Sequence, residues 1–295
     1  MKKIYTIIMI LSLSLFVKAQ VSNTYNLYYQ NLYMQNPSAI GIDDKFHIML
    51  DYQDLMANMG LTFRSMDFAF YGAVNNSNAI GIQYNNHVQN AIQNNNIMAS
   101  YSYKLKFSDD YNWLRIGLSL GANWQNLYTE DIVVKNYNDP VLQNLNYKET
   151  VFDGNFGLFY NYKNFDIAVS AIHFVELYNQ YILYSGYNYK TKVEGLSVKP
   201  SLQFTYLPGN IYQIDGNLKV KYKIIWASGT YRSNGNVLIA FGLNINNNLH
   251  VAYAHEINNG DLNIISSNTR EFLFIYDLDL KKKDESYEKL PWEEK

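Results

Sequence analysis

At 295 residues the chain has room for one large domain or two ordinary ones, and all-β barrels often reach this size as a single unit. With 28 tyrosines, 15 phenylalanines and 38 asparagines against only 5 prolines, the composition speaks against a helical bundle and for strands joined by polar turns. The absence of cysteine excludes a disulfide framework, a thiol nucleophile and a cysteine-based zinc site, and a net charge of −2 gives no sign of a nucleic-acid binder.

Residues 1–19 read as a signal peptide. Lys2 and Lys3 precede an apolar stretch over 4–17, and Val17-Lys18-Ala19 offers a site for cleavage after Ala19. No cysteine follows to carry a lipid. Residues 20–44 are polar and aromatic, expected to be periplasmic or tucked inside as a partial plug. Beyond them no apolar run approaches the roughly 18 residues that a spanning helix needs.

From there the chain alternates with period two. Over residues 114–125, Leu114, Ile116, Leu118, Leu120, Ala122 and Trp124 share one face, opposed by Arg115, Gly117, Ser119, Gly121, Asn123 and Gln125. The same dyad recurs over 197–206 and 212–224, and again in 152–162, 165–173, 237–246 and 249–257. Strands are expected near 45–53, 60–72, 79–90, 95–107, 112–126, 151–161, 164–176, 181–191, 196–206, 211–223, 225–232, 236–245, 249–257 and 269–277. Most are longer than the five or six residues usual in soluble sandwiches and close to the ~9–11 that cross a bilayer.

The pattern therefore predicts an all-β fold over 45–277: a single transmembrane antiparallel up-and-down β-barrel of about 14 strands. Lys219, Lys221 and Lys223 lie on one strand face and are expected to line a wet lumen. An arginine at outward Leu118 should be costly, and one at inward Ser119 far milder. Trp113, Trp124, Tyr128, Tyr160, Tyr162, Tyr178, Tyr206, Tyr212 and Trp226 gather at strand ends, as interfacial girdles do.

Connections alternate in length. Short turns at 75–78, 108–111, 162–164, 192–195, about 223–225 and 246–248 are expected on the periplasmic side. The longest, 127–150 and 258–268, are expected outside the cell. Asp131, Tyr137, Asp139 and Tyr147 in the longest loop are candidate partner contacts, since Tyr offers stiff contact area and such loops suit recognition. The charged tail 278–295 is expected to be periplasmic, either disordered, the commoner fate of such ends, or a docking peptide anchored by Leu290 and Trp292.

No constellation for chemistry assembles. His250 and His255 are five apart and His173 is three from Ser170, spacings that send each pair to opposite faces of a strand. There is no two-histidine metal motif and no glycine-rich phosphate loop, so no enzyme, metal or cofactor is expected.

Read in order, several short motifs resemble the PorP/SprF-like outer-membrane proteins of type IX secretion and gliding motility. Tyr28-Tyr29-Gln30-Asn31 leads to Asn36-Pro37-Ser38-Ala39-Ile40-Gly41, similar to that family's aromatic stretch before Asn-Pro-Ala-Tyr-Ala-Gly. Ala79-Ile80-Gly81-Ile82, the strand containing 100–105, the dyad at 114–121, Asn155-Phe156-Gly157-Leu158, Gly186-Tyr187, Lys199-Pro200-Ser201 and Gly229-Thr230-Tyr231-Arg232 continue the series. Two elements depart from it: Asp51-Tyr52-Gln53-Asp54 stands for an Arg-Gln-Gln-Trp-like segment, and Asn268-Thr269-Arg270-Glu271 for a Gly/Ser-His-Glu element. The resemblance implies outer-membrane lipid around the barrel and a role in exporting and surface-anchoring a large adhesin with a type B C-terminal domain. It also implies association with periplasmic peptidoglycan-linked components. The residues alone leave a different class of function open, an outer-membrane channel for small polar or anionic solutes, for which the lysine row would be part of the lining.

Overall fold

The computed structural model describes residues 25–43, 45–57, 63–107, 111–127, 150–175, 179–209, 211–246, 248–257, 259 and 268–279. The signal-peptide stretch 1–19, the loop residues Asp131, Tyr137, Asp139 and Tyr147, and the tail from 280 onward lie outside the described residues. Two short 3-10 turns, Leu32–Met34 and Pro37–Ala39, precede the strands.

The strands run β1 Phe46–Ala57, β2 Phe63–Ala73, β3 Asn78–Gln89, β4 Ile92–Lys106, β5 Asn112–Leu127, β6 Thr150–Tyr162, β7 Phe165–Ile172 and β8 Gln180–Tyr187. After the two-residue β9 Tyr189–Lys190 come β10 Leu196–Leu207, β11 Ile211–Tyr222, β12 Ile225–Arg232, β13 Val237–Ile245, β14 Leu249–Ile257 and β15 Asn268–Leu278. Each strand pairs antiparallel with its sequence neighbour, and β15 pairs with β1 from Phe46 opposite Leu278 to Asp54 opposite Arg270. β10 pairs with both β8 and β11, which leaves β9 as an extra piece beside a closed ring of 14 strands. The sequence placed one strand over 181–191; it is interrupted at Asn188, whose N–H turns to the carbonyl of Asn164 at 2.8 Å. Strand seven ends earlier than expected, because His173 adopts φ 56° and turns the chain.

Alternation dictates which residues face which medium. Leu118, Leu120, Leu202, Phe241 and Phe272 stand outward and exposed, whereas Arg115, Ser119, Asp153, Gln203, Asp215 and Glu271 are buried on the inner face. Leu202 is 61% exposed and Glu271 0%, the inverse of a water-soluble protein, and this inversion is what a lipid-facing barrel requires. Among the described residues no helix is long and apolar enough to cross a membrane.

Connections sort by end. Tight hairpins at Lys163, Lys223 and Asn246, each in the left-handed region, fall at one end, together with the start of β1. The strand ends that border 128–149 and 258–267 fall at the other. These are called the turn end and the loop end below. The wall is uneven in height: β4 and β5 have 15 and 16 residues, whereas β7, β8 and β12 have 8.

Not every terminal aromatic belongs to a girdle. Trp113 and Trp226 point inward and are buried: Trp113 stacks on Phe159 at 5.5 Å, and Trp226 meets the edge of Tyr29 at 6.3 Å. Their odd and even positions set them on the inner face of β5 and β12, so proximity to a strand end alone misassigned them. Tyr162 and Tyr212 do stand outward.

Candidate functional site

The inside of the barrel is occupied by the chain's own N-terminal segment. In residues 25–43, Leu27, Tyr28, Tyr29, Tyr33, Met34, Ala39 and Ile40 are buried, and they pack against small wall residues: Ala69, Ala79, Ala168, Ala240 and Ala254. These alanines make room for the segment's aromatics, while larger wall side chains of the same cluster, among them Tyr71, Phe159, Tyr184 and Trp226, pack around it.

Local sequence shapes the segment. The Asn31 side chain accepts from the N–H of Tyr33 at 3.1 Å and the Asn36 side chain from that of Ser38 at 2.9 Å, capping the two 3-10 turns, and Pro37 sits at the first position of the second. Asn36 also donates through Nδ2 to the carbonyls of Leu158 (3.3 Å) and Val169 (3.2 Å), binding the turn to β6 and β7. Beneath it lie glycines. A Cβ on Gly117 would sit 2.2 Å from the nitrogen of Ser38, and one on Gly157 would sit 1.9 Å from Oδ1 of Asn36. No side chain fits between these strands and the turn, so the glycines set how deeply Asn36-Pro37-Ser38 beds into the wall. The Ser102 hydroxyl donates to the carbonyl of Ile40 at 3.0 Å, and Arg115 Nη1 donates to that hydroxyl at 3.2 Å.

The opposite wall holds the segment through polar side chains. Glu271 on β15 accepts from the backbone N–H groups of Asn26 (2.7 Å, Oε2) and Leu27 (3.1 Å, Oε1). The Tyr29 hydroxyl pairs with that of Ser228 at 2.5 Å on this wall, while the Tyr33 hydroxyl pairs with that of Ser100 at 2.9 Å on β4, beside the glycine bed. Burial pushes the Tyr28, Tyr29 and Tyr33 hydroxyls well above the usual phenol range, so they stay neutral.

Toward the loop end, Arg232 donates to Glu256 at 2.6 Å and lies 3.4 Å from Asp215, and Asn236 donates to the same Glu256 oxygen at 2.8 Å. His173 pairs with Asp153, which also accepts from Asn123 at 3.0 Å. At the turn end, Asp277 gathers Lys45 (3.2 Å), His47 (2.8 Å) and His250 (3.0 Å), while His47 reaches Asp43 at 2.8 Å. Among the described residues, no group of three or more His, Cys, Asp or Glu side chains is placed to hold a metal ion.

Of the three lysines read from the sequence, Lys219 and Lys221 lie on the face opposite exposed Leu218, Val220 and Tyr222. Lys219 donates to Gln30 Oε1 at 2.9 Å and lies 4.8 Å from the centre of the Trp226 ring. Lys223 occupies the turn, with φ 53°, and is exposed. Period two located the inner face but not its contents: the partners of Glu271 and Lys219 lie 244–245 and 189 residues away in the chain. Ser119, expected to point inward, does so and is buried, with its hydroxyl 2.6 Å from that of Ser100.

Together these features define a closed, lipid-facing β-barrel whose bore is filled by its own N-terminal segment. The chain belongs to the PorP/SprF family of type IX secretion system membrane proteins, whose family model matches residues 17–276. That family is a membrane component of a secretion system and not an enzyme class. No curated protein matches the chain. Among solved structures it is similar to the outer membrane protein Omp33 of Acinetobacter baumannii, at 8% identity and TM-score 0.50, over 81% of this chain and 100% of that one. It is also similar to the CymD monoaromatic hydrocarbon channel, at 11% identity and TM-score 0.51, over 87% and 94%. At such identities the likeness is one of fold.

Proposed function

We propose that the protein is an outer-membrane barrel of type IX secretion that works by protein recognition at its two ends and does not serve as a solute channel. The observation that carries this reading is the bore filled by residues 25–43, pinned on one side by glycine-depth contact and on the other by Glu271. In this reading the loop end faces outward, and the long connection 127–150, with Asp131, Tyr137, Asp139 and Tyr147, helps to export and hold a large adhesin with a type B C-terminal domain. The turn end faces the periplasm and peptidoglycan-linked components of the machinery. Signal-peptide cleavage near Ala19 delivers the chain to that route.

The test has two parts. Replacing 129–148 by an Asn-Gly turn should leave a folded barrel, since loop length costs stability only weakly, and should release the adhesin from the surface. Retention of the adhesin by a folded, membrane-inserted variant would remove this loop from the reading. A label at Asp139 should react on intact cells and one at Asn76 should not; the reverse would invert the barrel. In a planar bilayer the protein should carry no steady current, and a steady open pore would favour the channel.

A further inference from the structure

The strand glycines divide into two kinds. At most of them the chain itself occupies the place of a side chain: among the described residues, a Cβ on any strand glycine but two would come within 3.0 Å of another group. Gly216 on β11 and Gly229 on β12 are the two. A Cβ on Gly216 would meet only Leu202 Cδ2, at an ordinary 3.7 Å, and one on Gly229 would meet nothing within 4 Å. Neither sits at a turn or takes left-handed backbone. A glycine inside a strand costs backbone entropy and packing, so one that nothing in the chain requires marks a place where something outside the chain comes close.

Both lie on the lipid-facing side, in step with exposed Leu218 and Tyr231, and they floor the same groove of about 670 Å³. It runs from Phe165 and Tyr187 near the turn end to Tyr231 and Val237 near the loop end. Register sets Gly216 between Leu202 and Tyr231, and Gly229 beside Leu218, so the groove is one missing side chain wide. The strands on either side of β11 are roughly 10 Å apart, twice the ordinary strand spacing, and Leu202 and Tyr231 take up part of that width. A helix with its side chains, about 10–12 Å across, is too broad for the slot. A lone extended peptide would leave its backbone N–H and C=O groups unpaired in hydrocarbon. A single hydrocarbon chain meets neither obstacle. At the turn-end mouth, the Lys163 ammonium lies 5.3 Å from the centre of the Tyr162 ring. Tyr162 is paired with Phe165, and Phe165 with Tyr187, which puts a positive charge above the aromatic row where the groove begins.

We propose that this groove is a lipid-binding site that seats one acyl chain of an anionic phospholipid, with the head-group phosphate at Lys163. The chain lies over Gly216 and Gly229 between the walls formed by Leu202, Leu218 and Tyr231, and the phosphate meets the lysine at the level where aromatic residues mark the membrane interface. The groove is continuous with the bilayer-facing surface, so the occupant reaches it without leaving the membrane. The inference goes beyond the secretion reading and depends neither on an adhesin nor on which end of the barrel faces out.

The full chain, reconstituted in nanodiscs of phosphatidylethanolamine with phosphatidylglycerol as the minor component, would be released into detergent and weighed intact by native mass spectrometry. One retained phospholipid per chain, enriched in phosphatidylglycerol, is expected. Gly216→Ile combined with Gly229→Ile should lower retention about tenfold. Its heat-modified gel mobility should be unchanged and its thermal midpoint in detergent equal or higher, because a β-branched residue suits a strand and displaces nothing here. Should the double variant not fold, Gly229→Ile alone carries the same test. Ala99→Ile, on the exposed face of β4 and outside the groove, should stay within about twofold. Lys163→Gln should keep the lipid and lose the enrichment. Unchanged retention in the folded glycine variant would overturn the site, and so would an equal loss in Ala99→Ile, which would show a non-specific lipid shell. A pair of chains in place of the lipid, lost in the glycine variant, would make the groove an interface between copies and overturn the lipid assignment. Enrichment that survives Lys163→Gln would overturn the head-group placement.

Discussion

The two walls that hold the N-terminal segment do so by different physics. β5 and β6 receive it by removal of matter: Gly117 lets backbone meet backbone, Gly157 makes room for the Asn36 side chain, and that side chain bonds to wall carbonyls. β12 and β15 receive it by addition: the Ser228 hydroxyl and the Glu271 carboxylate reach across to a phenol and two amide N–H groups. A steric seat is intolerant of growth but indifferent to charge, whereas a polar seat tolerates volume and depends on the acceptor. Variants on the two walls should therefore fail in different ways.

The largest expected effect lies outside both walls and sets the scale. Leu118→Arg, on the exposed apolar face, should cost about 2–4 kcal/mol if that position lies near the bilayer midplane, read as lost folding yield into lipid or as a lowered urea midpoint. Its neighbour Gly117→Val, on the inner face, should cost about 3 kcal/mol by overpacking. The two costs are similar, but the signatures differ: the glycine variant should insert normally and yet show protease-accessible 25–43 and a new bilayer conductance. If Gly117→Val remained closed and stable, the steric account of that wall would fail.

On the polar wall, Glu271→Gln should cost about 2 kcal/mol, since one neutral carbonyl replaces a carboxylate that serves two N–H donors. Here the segment should loosen at its start, near Asn26, while Asn36-Pro37-Ser38 stays seated. Hydrogen exchange at Ser38, little changed in Glu271→Gln and faster in Gly117→Val, is the sharpest test of the contrast. The smallest effect is Ser228→Ala, about 1 kcal/mol, because it deletes a single neutral hydroxyl contact to Tyr29.

The ring was legible in the sequence because a strand in a two-medium wall must alternate, and period two survives loose boundaries. The fourteen-strand count and the alternation of short and long connections came from that rule alone. What fills the bore was not legible in the same way. Alternation assigns Ser119 to the inner face but cannot say whether water or Ser100 lies there, so an arginine at Ser119 now has no wet space to enter. Trp113 and Trp226 misled for a related reason: position along a strand suggested a girdle, whereas parity, read residue by residue, sends both inward. The motif Asn36-Pro37-Ser38 stood out by resemblance, but its meaning depends on Gly117 and Gly157, which lie 80 to 120 residues later and look like ordinary barrel glycines.

β15 has a kinetic consequence. It pairs with β1 to close the ring, and the same strand carries Glu271, which accepts from Asn26 and Leu27. Asn26 and Leu27 and the last strand therefore meet across nearly the whole length of the chain, a contact of the kind that is slow to form. Sealing the seam and latching the occupant become one late event. The glycine bed on β5 and β6 needs neither β1 nor β15, whereas the latch at Asn26 and Leu27 cannot form without the strand that closes the ring.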